Sequence, residues 1–138
     1  MHPSIAYFPS TTFYDGLIKN GVTNQDKILE PCEFVFPNKD IPIVFISVHS
    51  PEERRNSSYC NMGEIETVSE ILSQLFKNKS LKQKQVGIIT PYSLQKEVLK
   101  KKLDFPYIEI QSVDGFQGRE NDIIIFSAVR SNEYVFFI

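Results

Sequence analysis

Ser112-Val113-Asp114-Gly115-Phe116-Gln117-Gly118-Arg119-Glu120-Asn121-Asp122-Ile123-Ile124-Ile125-Phe126-Ser127-Ala128-Val129 changes character midway. Its first half is polar and carries two glycines. Its second half, from Asp122, is a nearly continuous apolar run. Such a run fits a strand covered on both faces, as in a parallel sheet. Just upstream, Tyr107-Ile108-Glu109-Ile110-Gln111 alternates, the period of a half-exposed strand. The connection from Gln111 to Asp122 is short for a parallel crossover, which takes about a dozen residues or more. It must be a tight loop with about one helical turn. Gly115 and Gly118 permit backbone geometries that other residues resist. Asp114, Gln117, Arg119 and Glu120 add donors and acceptors. Physics alone leaves two readings open: a loop that holds phosphate or ribose groups, or a well-bonded turn with glycines for shape.

Farther upstream, Val86-Gly87-Ile88-Ile89 reads as a second short buried strand. Thr90-Pro91 then predicts a helix start, with Thr90 as N-cap and Pro91 in the first turn, where a missing N–H costs nothing. Leu94, Val98, Leu99 and Leu103 face the core at helical spacing. A helix N-terminus favours anions, and Gln95 and Lys96 lie within about two turns of it. Tyr92 offers an aromatic face for a base. An ordinary helix start with a solvated lysine explains the same residues more simply. Further upstream, Asn61 and Glu64 form a capping-box pattern. Ile65, Val68, Ile71, Leu72, Leu75 and Phe76 follow on one helical stripe. Residues 49–60 read as a polar loop. Ile43-Val44-Phe45-Ile46-Ser47-Val48 reads as a strand buried on both faces.

Residues 1–40 read as irregular with short helical turns, because Pro3, Pro9, Pro31 and Pro37 interrupt long elements. Residues 41–132 form a β-α-β-α-β-β core, and 133–138 a short tail. Strands alternating with helices imply an α/β fold: a parallel β-sheet flanked by helices, with right-handed crossovers. No internal repeat or low-complexity tract interrupts this single domain.

Composition excludes several classes. The chain has 138 residues, 41% hydrophobic and 23% charged, an ordinary globular balance. No apolar run approaches the roughly 18 residues of a membrane span, and the first residues lack the pattern of a signal peptide. Cys32 and Cys60 are too few for a disulfide framework and lack metal-ligand spacing. They read as free thiols of an intracellular protein, in cytoplasm or nucleus. The net charge of -2 announces no nucleic-acid binder. Yet Lys77, Lys79, Lys82, Lys84, Lys96, Lys100, Lys101 and Lys102 share one interval with a single acid, Glu97. That interval is either a phosphate-tracking surface or a solvated face. His2 and His49 suggest no catalysis, and Glu52-Glu53-Arg54-Arg55 reads as a solvated loop. The carboxylates are too scattered for a nuclease. No Gly-x-x-x-x-Gly-Lys-Ser/Thr phosphate loop is present.

The stretch Ser112 to Asn132 resembles motif V and its following strand in the superfamily 1B helicases, up-frameshift and senataxin-type enzymes above all. Ile89-Thr90-Pro91-Tyr92-Ser93-Leu94-Gln95-Lys96 resembles their motif IV. Met1 to Ile5, Phe8-Pro9-Ser10 and Phe13-Tyr14 resemble the segment after motif III. Ser58-Tyr59, Asn61 and Glu64 match a further recurring pattern. The resemblance runs nearly end to end, and its Asp-Gly-Phe-Gln-Gly-Arg-Glu core is the most specific part.

What the resemblance implies is a RecA-like second helicase lobe of the P-loop NTPase type, incomplete and truncated before motif VI. The parent would be an ATP-dependent RNA or DNA helicase. The lobe would contribute motifs IV and V to an ATP cleft and a single-strand track shared with an N-terminal RecA-like lobe. Gln95, Lys96, Gly118 and Glu120 would approach the nucleotide. Thr90, Pro91, Ser112, Val113, Asp114 and Gln117 would lie on the nucleic acid, with Gln117 linking the two sites. Lys96 stands where relatives often carry Arg, keeping the charge and losing a bidentate fork. Mg²⁺ would be held by the other lobe. These 138 residues alone would hydrolyse no ATP. The alternative is a non-catalytic α/β module, derived from such a lobe, that binds nucleic acid or protein.

Overall fold

The computed structural model describes residues 1–23, 26, 32–38, 41–77 and 79–131. The elements are helix α1 (Pro3–Phe13), strands β1 (Glu52–Arg55) and β2 (Ser58–Asn61), helix α2 (Met62–Phe76), strand β3 (Val86–Ile89), helix α3 (Ser93–Lys102), strand β4 (Glu109–Gln111) and strand β5 (Ile123–Phe126). Single 3-10 turns at Gln83–Gln85 and Asp114–Phe116 precede β3 and follow β4. The three-stranded sheet runs β4-β3-β5, all parallel, with Gly87 opposite Glu109 and Ile124. The parallel α/β architecture expected from the pattern is the one found. The apolar tail at 133–138 lies outside the described residues.

Helix α2 holds the core together. Asn61 caps it, its Oδ1 accepting from the Glu64 N–H at 3.0 Å. Ile65, Val68, Leu72 and Leu75 then fall on one face and are buried. They pack with Leu81, Val86, Ile88, Leu99, Ile108 and Ile110. Each such side chain stabilises the fold by about 1.5–3 kcal/mol. The capping box is only half realised. The Glu64 carboxylate does not reach back to Asn61 and is used elsewhere, as described below.

Three expectations fail, and the helical turns expected in residues 1–40 gather into one helix. Ile43–Val48 forms no strand among the described residues, and Phe45 is 92% exposed. Its composition suits a covered strand, but no described strand pairs with it. Residues 49–60 are not a plain loop: β1 and β2 form an antiparallel hairpin, Arg55 opposite Ser58, with Asn56 at a positive φ of 54 in the turn. The 1–40 segment is not irregular throughout. His2 caps α1 through Nδ1, Pro3 occupies the first turn, and Pro9 sits inside the helix. Finally, β5 is not covered on both faces, since Ile124 and Phe126 are exposed.

The loop after β4 is pinned to the sheet by one ring. Phe116 is buried over Gly87, where an added Cβ would stand 2.8 Å from the ring's Cζ. Only glycine lets the ring lie this close to the strand. Gly87→Ala should therefore destabilise the chain by about 1–3 kcal/mol through overpacking. A urea titration checks this; an unchanged midpoint would show that Phe116 is not locked against β3.

Candidate functional site

Parallel strands deliver their following loops to one rim. In the order β4-β3-β5, that rim carries residues 112–117, 90–92 and 127–130 side by side. The rim is tied together by backbone bonds: Thr90 N–H donates to the Gln111 carbonyl at 3.1 Å, and Ser127 N–H to the Ile89 carbonyl at 2.9 Å.

Gln95 is 0% exposed and organises this rim from below. Its Oε1 accepts from the Asn61 N–H at 2.9 Å, and its Nε2 donates to Ser127 Oγ at 2.9 Å. Ser127 Oγ in turn donates to Glu64 Oε2 at 2.6 Å. The other carboxylate oxygen, Glu64 Oε1, accepts from the Val129 N–H at 2.8 Å. Asn61 Nδ2 donates to the Val129 carbonyl at 3.2 Å and to the Ser50 carbonyl at 2.9 Å. Val129 has φ 69, a conformation that costs a β-branched residue on the order of 1–3 kcal/mol. Its carbonyl is held by the N-cap of α2, Asn61, and its N–H by Glu64 in the first turn, which keeps it there.

Helix α3 begins later than the sequence suggested. Its N-cap is Tyr92, not Thr90. The Leu94 N–H is satisfied by Ser58 Oγ of the hairpin at 3.1 Å. Thr90 is 0% exposed, its Oγ1 accepting from the Tyr92 N–H at 3.4 Å. Thus Thr90 and Gln95, both expected to meet a ligand, turn their side chains inward. Pro91 is exposed and Lys96 half-buried.

The 112–118 loop presents what the sequence placed there. Val113, Asp114, Gln117 and Gly118 are exposed, while Ser112 Oγ accepts from the Gly115 N–H at 3.3 Å. Gly118 takes a φ of +75, available to glycine without strain. Glu120 lies elsewhere. It lines a hollow of about 180 Å³ with Lys84, Gln85, Asn121 and Asp122, beside the start of β3 and β5. Arg119 pairs with Glu109. The length of β3 alone separates the two ends of the sheet by about 13 Å. The proposed nucleotide residues Gln95, Lys96, Gly118 and Glu120 are therefore not gathered into one pocket. The proposed strand residues Pro91, Ser112, Val113, Asp114 and Gln117 do share the rim.

The hollow is smaller than the roughly 300–1,000 Å³ of small-molecule pockets. Its one cation is Lys84, and Asn121 Oδ1 is buried without a partner at its wall. Its volume, two carboxylates and single cation do not suit a triphosphate. Among the described residues no cluster of His, Cys, Asp or Glu could hold a metal ion, and no helix is long and apolar enough to cross a membrane.

Sequence reasoning missed Phe116 as the loop's anchor, Glu64 and Ser127 as the seam around Gln95, and the hairpin. Only Glu64 carried a signal, its capping position.

A three-stranded parallel sheet flanked by helices makes this chain part of an α/β lobe, and comparison with known proteins gives its family. An AAA domain family model matches residues 1–135, and the chain belongs to that family. Within it the chain is similar to the up-frameshift type of superfamily 1B helicases. It is 40% identical over 96% of its length to the regulator of nonsense transcripts 1 homolog of Drosophila melanogaster. It is 37% identical over 96% to the ATP-dependent helicase NAM7 of Saccharomyces cerevisiae. It is 36% identical over 97% to the ATP-dependent helicase upf1 of Schizosaccharomyces pombe. The chain spans only 12%, 15% and 16% of these relatives.

The seam yields a test of its own. Gln95→Met keeps the volume but leaves the Asn61 N–H and Ser127 Oγ short of a partner, which should cost about 1–3 kcal/mol. Lys96→Met should cost less than about 0.5 kcal/mol. Chemical denaturation separates the two; equal losses would mean the seam does not hold the rim.

Proposed function

We propose that this chain is the strand-gripping part of the second lobe of an ATP-driven helicase acting on single-stranded RNA or DNA. The observation that carries this reading is the glycine loop 112–118. It is pinned by Phe116, exposed at Asp114 and Gln117, and placed beside Pro91 at the sheet rim. The names of two relatives, both ATP-dependent helicases, support the use of ATP.

In this reading Pro91, Val113, Asp114 and Gln117 lie along the nucleic acid, with Ser112 and Thr90 shaping the backbone beneath them. Gly118 and Glu120 approach a nucleotide whose triphosphate and Mg²⁺ are held by an N-terminal RecA-like lobe, while Lys96, in the first turn of α3, stands at the rim end of the sheet. Gln95 positions the rim rather than touching the nucleotide. ATP binding would draw the lobes together and hydrolysis release them, moving the strand stepwise.

In a protein that joins this segment to a phosphate-loop lobe, Glu120→Gln should lower ATP turnover by at least about tenfold, the loss of one charge-assisted contact. Strand binding without nucleotide should stay the same. Steady-state ATPase assays and nucleotide-free binding measure the pair. Weakened binding with normal turnover would remove the assignment of Glu120.

A further inference from the structure

The β1–β2 hairpin is not a solvated decoration; it is built onto the rim. Ser58 caps α3, and Asn61 at its base is bonded to Gln95. The Tyr59 ring meets Tyr92 edge-on, with centroids 5.7 Å apart. The Arg130 guanidinium lies 4.4 Å from the Tyr59 centroid, and that of Arg54 lies 5.8 Å from it. Arg130 is aimed there by the held turn at Val129, and it also pairs with Glu52 at 3.4 Å. Two tyrosines and two guanidinium groups therefore stand together immediately beside Pro91.

The charges at this cluster are not all cancelled. Glu52 is taken by Arg130, and Glu53 by Arg55 at 3.0 Å. Among the described residues, Arg54 has no carboxylate partner. It donates only Nε, to the Asn56 carbonyl at 3.3 Å, and it is exposed. That leaves the planar fork of its terminal nitrogens to solvent. Contact with an aromatic ring stiffens the side chain, so little entropy is lost when the fork binds an anion.

We propose that Arg54 is a backbone-phosphate contact for single-stranded nucleic acid, and that the hairpin extends the track begun by the 112–118 loop. The strand order makes this geometry continuous. The loop after β4, Pro91 after β3 and the hairpin docked beside the end of β5 succeed one another across two strand spacings, roughly 10 Å. A strand would enter over Asp114 and Gln117, pass Pro91 and Tyr92, and reach Arg54. The proposal rests on the strand-binding reading of the rim and adds its far end.

The test uses the purified 138-residue chain, a fluorescein-labelled oligouridylate, and anisotropy across a salt series. Arg54→Gln should weaken binding about three- to tenfold and make the log affinity against log salt slope shallower by about 1, the signature of one lost phosphate contact. Arg54→Lys, which keeps the charge, should restore most of the slope. Unchanged affinity, or a loss with an unchanged slope, would overturn the Arg54 assignment while leaving the rim reading intact. No binding by the wild-type chain at low salt would remove the rim reading and this inference with it. Arg54 is exposed, so urea midpoints of the variants should match wild type; a shifted midpoint together with lost binding counts against a contact role.

Discussion

The rim depends on one buried amide. Gln95 links three pieces of chain that sequence keeps far apart: the base of the hairpin at Asn61, its own helix, and the end of β5 at Ser127. Leaving a buried amide unpaired costs on the order of 1–3 kcal/mol. Any arrangement that moves the hairpin or the β5 turn away therefore carries that penalty. Glu64 extends the constraint to Val129, and Asn61 closes it from the other side. A fully satisfied network of this kind stiffens what it touches. Here it touches the hairpin and the β5 turn, which lie together on one side of Pro91.

A second constraint acts on the glycine loop. Phe116 fastens the loop in its middle, over Gly87, so the residues on either side diverge. Asp114 stands at the rim and Glu120 at the opposite end of the strands, beside Lys84 and Asn121. One pinned ring thus relates a rim position to a position about 13 Å away. A shift of the Glu120 end has to pass the Phe116 contact to reach Asp114, and that contact has almost no slack. For the proposed motor this is the part of the chain through which nucleotide state and strand grip would communicate.

Sequence carried the fold where periodicity and burial agree. The α2 stripe, the short runs at Val86–Ile89 and Glu109–Gln111, and the parallel order were all legible, since each element's covered face is written in its own spacing. Ile43–Val48 was not, because apolar composition states only that a segment is suited to burial; a neighbouring strand decides whether it is buried. The hairpin was hidden for the opposite reason. Glu52–Arg55 has no apolar face, and its pairing comes from the Asn56 turn and the docking of Ser58 and Asn61. At the candidate site, the loop residues Asp114 and Gln117, expected at a rim, are exposed there. Thr90 and Gln95 are buried, which their positions in the sequence did not reveal. A polar side chain at a helix start reads the same whether it faces solvent or a buried partner 34 residues away.

The polar character of the seam follows from what the hairpin has to be. A surface element meant to meet a charged, hydrated ligand cannot be attached mainly by apolar burial, since its exposed residues must stay polar. In β1 and β2 only Cys60 offers a buried apolar group, and the aromatic contact of Tyr59 with Tyr92 adds on the order of 1 kcal/mol. That is too little to fix an orientation. Directional bonds do so instead: Ser58 to Leu94, Asn61 to Gln95, Asn61 to Val129. Hydrogen bonds contribute modestly to net stability, yet each misplacement leaves a buried group unpaired. The seam therefore fixes position more strongly than it adds stability. That lets the hairpin carry an exposed Arg54 in a defined place, although almost nothing apolar holds it down.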